Sequence, residues 1–95
     1  PYTFYFVPKF DDENKLEIAQ NIYKKCEEQN ISVLFDDRKE LSIGAKIKDS
    51  KIVGCPYLVV FGKSLDEGFL EVENNKTGEK QQVKLDDFVN FCKNI

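Results

Sequence analysis

Residues 33–63 read VLFDDRKELSIGAKIKDSKIVGCPYLVVFGK, and this stretch decides the fold. An apolar strand runs into the polar triplet DDR at 36–38, and Ser42 has a side chain that commonly caps a helix. Gly54 suits the end of that helix, and Pro56 stands where a second apolar strand begins and its missing N–H is tolerated. The order strand, helix, strand predicts a right-handed parallel crossover.

The residues before this stretch extend the same alternation of strand and helix. Residues 2–7 (YTFYFV) are almost continuously apolar and predict a strand covered on both faces. An amphipathic helix follows, from a cap at Asp11 or Asp12 to about residue 29, and Asn30 suits a left-handed helix end. The three parallel strands are then expected at 2–7, 31–35 and 57–61.

The second helix is less regular than the first. Ile43, Ile47 and Ile52 mark a rough apolar side. Its lysines, Lys46, Lys48 and Lys51, fit a solvated face, but the start of the helix also lies beside the 36–38 corner, so that Lys46 is expected to project toward that edge.

The pattern changes after Gly62, where a loop is expected over 65–68. Residues 69–73 and 81–85 alternate in polarity on either side of the turn NKTG at 75–78, which predicts an antiparallel hairpin. Asp86 is expected to cap a last helix whose inner face carries Phe88, Phe91, Cys92 and Ile95. The fold class is therefore α/β, βαβαβ-ββ-α, with a mixed five-stranded sheet and three helices in a single domain over 1–95.

Composition narrows the function. The chain has 95 residues, three widely spaced cysteines and no histidine, which argues against a zinc site, a histidine-based triad or a disulfide framework, and the cysteines are expected to be buried. No apolar run approaches a membrane span. The net charge is −3, yet residues 36–63 hold six basic and four acidic residues, so the central stretch is the locally positive part.

Residues 36–64 suggest three kinds of site: a phosphate-binding loop, a Mg²⁺ site and a surface that recognises nucleic acid. Gly62, Lys63 and Ser64 resemble the end of a phosphate-binding loop, but the glycine that such a loop needs five residues earlier is Tyr57. The paired carboxylates Asp36 and Asp37 could hold Mg²⁺, although nothing else in the sequence completes a metal shell. A structural alternative is a local ion pair of Asp37 with Arg38.

Recognition of single-stranded nucleic acid uses the same groups. Carboxylates accept hydrogen bonds from base amino groups, arginine binds guanine edges or phosphate, and lysine meets phosphate. Phe35 and Phe61 could stack a base, but both are expected to face the core.

Six segments carry a family resemblance: 33–38, 43–49, 53–57, 62–63, 71–73 and 75–79. In their order along the chain they resemble the anticodon-binding domain of class II aminoacyl-tRNA synthetases, and the last two are most similar to the prolyl members. The segment 41–44 (LSIG) replaces the Arg-Pro-Gly of many bacterial prolyl members and is similar to mitochondrial-type ones.

The resemblance implies a module that docks the anticodon loop of tRNA-Pro through Asp37, Arg38, Lys46 and Lys63. It also implies a C-terminal fragment of a longer ligase in which a separate catalytic domain uses ATP and Mg²⁺, with no cofactor in this domain. The fragment alone is then expected to be an inactive monomer, the parent enzyme a homodimer, and the location bacterial cytoplasm or an organellar matrix.

Two alternatives have the same fold. One is the equivalent domain of a threonyl-, histidyl- or glycyl-tRNA synthetase. The other is a non-catalytic nucleic-acid-binding accessory protein, such as the accessory subunit of organellar DNA polymerase. A free-standing flavodoxin-like enzyme is disfavoured because the sequence lacks histidine, a phosphate loop and a metal cluster.

Overall fold

The computed structural model describes residues 2–95, which form one five-stranded sheet with helices on both faces. Short 3-10 helices at Lys63–Glu67 and Leu85–Asp87 precede the fourth strand and the last helix. In chain order the strands and α-helices are β1 (Phe4–Val7), α1 (Glu13–Glu28), β2 (Val33–Phe35), α2 (Ile43–Val53), β3 (Tyr57–Val60), β4 (Phe69–Asn74), β5 (Lys80–Lys84) and α3 (Phe88–Lys93).

The strand order is β2-β1-β3-β4-β5, which confirms the mixed sheet and the three helices. β1 is parallel to both neighbours, with Phe4 opposite Val33 on one side and Tyr57 on the other. β4 and β5 form an antiparallel hairpin that extends the sheet beyond β3. The carboxyl ends of β1, β2 and β3 therefore lie along one edge of the sheet.

Alternation along β1 builds a core on each face of the sheet. Phe4 and Phe6 lie in the larger core with residues of α1 and α3, whereas Tyr5 and Val7 lie in a smaller core against α2. All four side chains are buried, as the apolar run predicted. Burying one such side chain stabilises the fold by about 1.5–3 kcal/mol, so β1 anchors both layers.

The helix boundaries follow their caps. The side chain of Asp12 accepts from the backbone N–H of Lys15 at 3.1 Å, and Ser42 accepts from that of Ala45 at 3.1 Å. Asn30 has a φ of 60°, and Gly54 ends α2 with a φ of 84°. The predictions for these helix ends are confirmed.

Several predicted details of the helices are wrong. Residues 65–68 are not a plain loop, because 65–67 continue the 3-10 helix that begins at Lys63. Asp86 does not cap α3: it lies inside the 3-10 helix Leu85–Asp87, and α3 begins at Phe88 without a side-chain cap. Ile95 lies beyond the end of α3 and is 51% exposed.

Ile52 does not share the apolar side of α2. At about 100° per residue, Ile47 lies roughly 40° from Ile43 around the helix, whereas Ile52 lies a further 140° away. Ile43 and Ile47 pack on the smaller core, and Ile52 is 74% exposed.

The aromatic and cysteine expectations are confirmed. Phe61 is fully buried, and Phe35 is half-buried against the larger core with its ring 5.2 Å from that of Tyr23. Cys26, Cys55 and Cys92 are buried free thiols. Phe35 and Phe61 therefore pack in the core.

Candidate functional site

Asp36 is the centre of the polar corner at the end of β2. Its side chain is buried, and its carboxylate accepts hydrogen bonds from the Tyr5 hydroxyl and from Arg38. The Arg38 contact is two-pronged, Nε to Oδ1 at 2.9 Å and Nη2 to Oδ2 at 2.7 Å, and the Arg38 backbone N–H adds a bond of 3.2 Å to Oδ1. Bidentate pairs of this kind fix geometry as well as charge.

These contacts change the acidity of the groups involved. Hydrogen bonds from Arg38 hold the pKa of Asp36 well below its usual range, although burial opposes this. Burial, reinforced by the bond to Asp36, raises the pKa of Tyr5 to about 12. At neutral pH the corner therefore contains an ionised Asp36 and a neutral Tyr5.

Arg38 also joins the corner to α2. Its Nη2 lies 2.8 Å from Oδ2 of Asp49 and 3.3 Å from the Tyr5 hydroxyl oxygen. The local ion pair between Asp37 and Arg38 is therefore wrong, because Asp36 and Asp49 take the guanidinium and leave Asp37 exposed.

Lys46 lies inside the protein. Its side chain is 1% exposed, its Nζ donates to the backbone carbonyl of Asp36 at 3.0 Å, and it is 4.0 Å from Asp36 Oδ1. Burial lowers the pKa of Lys46, with Asp36 opposing that shift. A solvated position for this lysine is therefore wrong, whereas Lys48, two residues later, is exposed.

Lys63 lies at the same edge of the sheet but apart from this cluster. It begins the 3-10 helix after β3, is exposed, and has β1 between its strand and β2. Two strand spacings place the ends of β2 and β3 roughly 10 Å apart. Tyr57 lies in β3, so the backbone before Lys63 is a strand and not a phosphate loop.

The four predicted site residues thus fall into two groups. Arg38 and Lys46 meet at Asp36, with Asp37 beside them, while Lys63 lies farther along the edge. Sequence reasoning did not single out Tyr5, Phe10 or Asp49. A polar residue within a buried strand was the available signal for Tyr5, whereas Asp49 reaches the corner from the next helix.

An open groove of about 590 Å³ borders the corner on the side of the turn after β1. Phe10 lies in its wall, with Lys46 Nζ 4.5 Å and Lys39 Nζ 5.9 Å from the ring centroid. Lys9, Asp11 and Ser42, the cap of α2, also line it. The groove combines an aromatic ring, ammonium groups and a helix N-terminus.

The part of the chain that the structure describes contains no group of three or more His, Cys, Asp or Glu side chains placed to hold a metal ion. Within the same residues, no helix has the length and apolar character needed to cross a membrane.

Comparison with known proteins agrees with the fold. A family model described as the anticodon binding domain matches residues 4–95. The chain belongs to the anticodon-binding domain family. The match covers all five strands and all three helices, and it confirms the family that the sequence resembles.

Relatives of this anticodon-binding domain include proline–tRNA ligases. The chain is 43% identical over 82 residues to the proline–tRNA ligase of Aquifex aeolicus, covering 86% of the chain and 14% of the relative. The corresponding enzyme of Persephonella marina is 41% identical over 81 residues, with 85% and 14% covered. That of Caldicellulosiruptor bescii is 36% identical over 96 residues, with 100% and 17% covered. The chain thus spans only a small part of the length of these relatives.

Proposed function

We propose that this domain binds the anticodon loop of a proline tRNA, as the C-terminal recognition module of a proline–tRNA ligase. The observation that carries the proposal is the match of nearly the whole chain to the anticodon binding domain, together with 36–43% identity to proline–tRNA ligases. The alignments with the three relatives extend over 81–96 residues and cover 85–100% of the chain, so the similarity is not confined to one motif.

The exposed carboxylate of Asp37 suits the reading of guanine. Proline codons begin with two cytosines, so a proline anticodon contains adjacent guanines. The Watson–Crick edge of guanine presents an N–H and an amino group, and a carboxylate accepts from both. Asp37 follows a rigid residue, because Asp36 is held by Tyr5, Arg38 and Lys46.

Arg38 supplies a positive group at the same point. Its side chain is 42% exposed, and Nε and Nη2 are engaged by Asp36 and Asp49. Nη1 has no partner among residues 2–95 and remains available for a phosphate or a base edge. Because the guanidinium is already held in place, less side-chain conformational entropy is lost when RNA binds.

Lys63 and Lys46 take different roles in this proposal. Lys63 is exposed at the end of β3 and suits a phosphate of the loop. Lys46 is buried, so it acts on RNA by holding the Asp36 backbone and, through it, the position of Asp37 and Arg38.

The remaining steps of the ligase are assigned to the rest of the parent protein. We propose that its catalytic region activates proline with ATP and Mg²⁺, and that the parent enzyme is a homodimer in a bacterial cytoplasm or an organellar matrix. The 95-residue chain by itself is proposed to be monomeric and inactive.

The test is binding of the purified chain to fluorescent anticodon stem-loops, measured by anisotropy. We expect the proline stem-loop to bind more tightly than threonine, histidine and glycine stem-loops. Replacing an anticodon guanine by inosine, which lacks the amino group, should weaken binding to wild type but not to Asp37→Asn. Arg38→Glu should abolish specific binding.

Equal affinity for all four stem-loops would contradict the prolyl assignment. Absence of binding to any stem-loop, with the chain folded by circular dichroism, would contradict anticodon recognition itself.

A further inference from the structure

Phe10 is placed in a way that packing alone does not account for. It lies in the turn between β1 and α1, is only partly buried, and forms part of the wall of the 590 Å³ groove. The structure records no ring-to-ring contact for it among residues 2–95, whereas Phe4, Phe6, Phe61 and Phe88 pack against one another in the core. The side chain therefore presents an aromatic surface at the strand-end edge.

The neighbours of Phe10 are cations. Lys46 approaches the ring from the protein side at 4.5 Å, within the range of about 6 Å for cation–π attraction, and is itself buried. Lys39 is exposed and lies 5.9 Å from the centroid. The ring therefore has a buried ammonium group and an exposed ammonium group within about 6 Å of its centroid.

The groove has a positive charge balance. Lys9, Lys39 and Lys46 line it. Lys9 pairs with Asp11 at 3.2 Å and Lys46 lies 4.0 Å from Oδ1 of Asp36, so that the positive charge left uncompensated is that of Lys39. Lys39 has no carboxylate partner among residues 2–95. An anionic group close to the ring would therefore meet the ammonium of Lys39 with little competition from the protein.

An aromatic ring with a free lysine beside it matches one kind of occupant. Unpaired nucleotides bind proteins by stacking the base on an aromatic side chain while a cation contacts the phosphate. A small apolar ligand would leave Lys39 unused, and a free phosphate would leave the ring unused.

We infer that the groove holds one unpaired nucleotide of the RNA loop, with its base stacked on Phe10 and its phosphate facing Lys39. This inference rests on the RNA-binding function proposed above. It adds a contact region to the corner at Asp37 and Arg38 and to Lys63, which lies farther along the same edge.

The experiment places aminopurine, a fluorescent adenine analogue, at every loop position of the proline stem-loop in turn. Stacking on a phenyl ring quenches its emission, so one position should be quenched when wild type binds. Phe10→Leu should remove that quenching and weaken binding about tenfold, while Phe10→Tyr should retain both. Tyr2→Leu, which removes an exposed aromatic residue outside the groove, should change neither.

The outcomes separate this inference from the proposed function. If wild type binds the stem-loop but no position is quenched, or if the quenching survives in Phe10→Leu, the stacking role is wrong and anticodon recognition stands. The stacking role is also wrong if Phe10→Leu binds normally while Lys63→Glu binds poorly. If wild type does not bind any stem-loop, both proposals fail together.

Discussion

The guanidinium of Arg38 holds the buried carboxylate of Asp36 through two parallel hydrogen bonds, of 2.9 Å from Nε and 2.7 Å from Nη2. Asp36 directly follows β2 and Arg38 opens the segment leading to α2, so the pair fixes the chain where strand gives way to helix. Asp37, between them, is thereby presented to solvent in one orientation. The stability of the corner and its proposed contact with RNA therefore depend on the same pair.

Replacing Asp36 with asparagine should destabilise the domain by about 2 kcal/mol, because Arg38 keeps only Asp49 as an ion-pair partner and the buried Lys46 loses its nearby carboxylate. The value lies below the roughly 3–5 kcal/mol for breaking a fully buried pair, since Arg38 is 42% exposed and solvent screens it. Urea unfolding followed by circular dichroism measures the change.

The matched control is Asp37→Asn, one residue along the chain at an exposed position. It should change the free energy of unfolding by less than about 0.5 kcal/mol. Equal losses in the two variants would show that the Asp36 network does not hold the corner.

The stability of the domain should also depend on Asp36 in acid. The pKa of Asp36 in the folded protein is lowered by Arg38, so between that pKa and the unfolded value of about 3.9 the unfolded chain binds more protons. Its contribution is therefore fully present well above the unfolded pKa and is lost as the pH falls below that value.

Urea unfolding at intervals from about pH 6 down to about pH 2 gives the measurement. Wild type should lose stability more steeply than Asp36→Asn across the acid range, because the variant lacks the titrating group. Parallel pH profiles for the two proteins would rule out Asp36 as a source of the acid sensitivity.

Replacing two different lysines of α2 should change the free energy of unfolding by very different amounts. Lys46→Ala removes a buried side chain that fills the space between Asp36 and Phe10, and it should cost about 2–4 kcal/mol of unfolding free energy. Lys48→Ala, at an exposed position on the same helix, should cost less than about 0.5 kcal/mol. Paired urea titrations decide this, and similar losses would contradict the buried placement of Lys46.

The sequence was sufficient for the parts of the fold that depend on local pattern. The buried run in β1, the caps at Asp12 and Ser42 and the left-handed ends at Asn30 and Gly54 depend on neighbouring residues only. The parallel and antiparallel pairings followed from the crossover rule and the hairpin turn. The family resemblance, carried by ordered segments along the whole chain, is confirmed by the match over residues 4–95.

The site was predicted less completely, because its contacts come from separate elements. The sequence placed Arg38 at the correct edge. The structural alternative paired it with its neighbour Asp37, since nothing local reveals that Asp49 approaches from α2. Lys46 belongs to a helix with a weak apolar pattern, and its burial depends on Phe10 in a distant turn. The contact roles assigned to Asp37, Arg38, Lys46 and Lys63 remain predictions.

Lys63 should contribute to RNA binding mainly through charge. If it contacts one phosphate, Lys63→Ala should weaken binding to the proline stem-loop a few-fold and lower the slope of log affinity against log salt by about 0.7, the value for one single-stranded phosphate contact. Anisotropy titrations over a series of KCl concentrations give both quantities. Lys24→Ala, which removes an exposed lysine from α1, is the matched control and should leave the slope unchanged. An unaltered slope in Lys63→Ala would mean that the end of β3 lies outside the RNA contact, and the interface would then be confined to the Asp36 corner and the groove beside it.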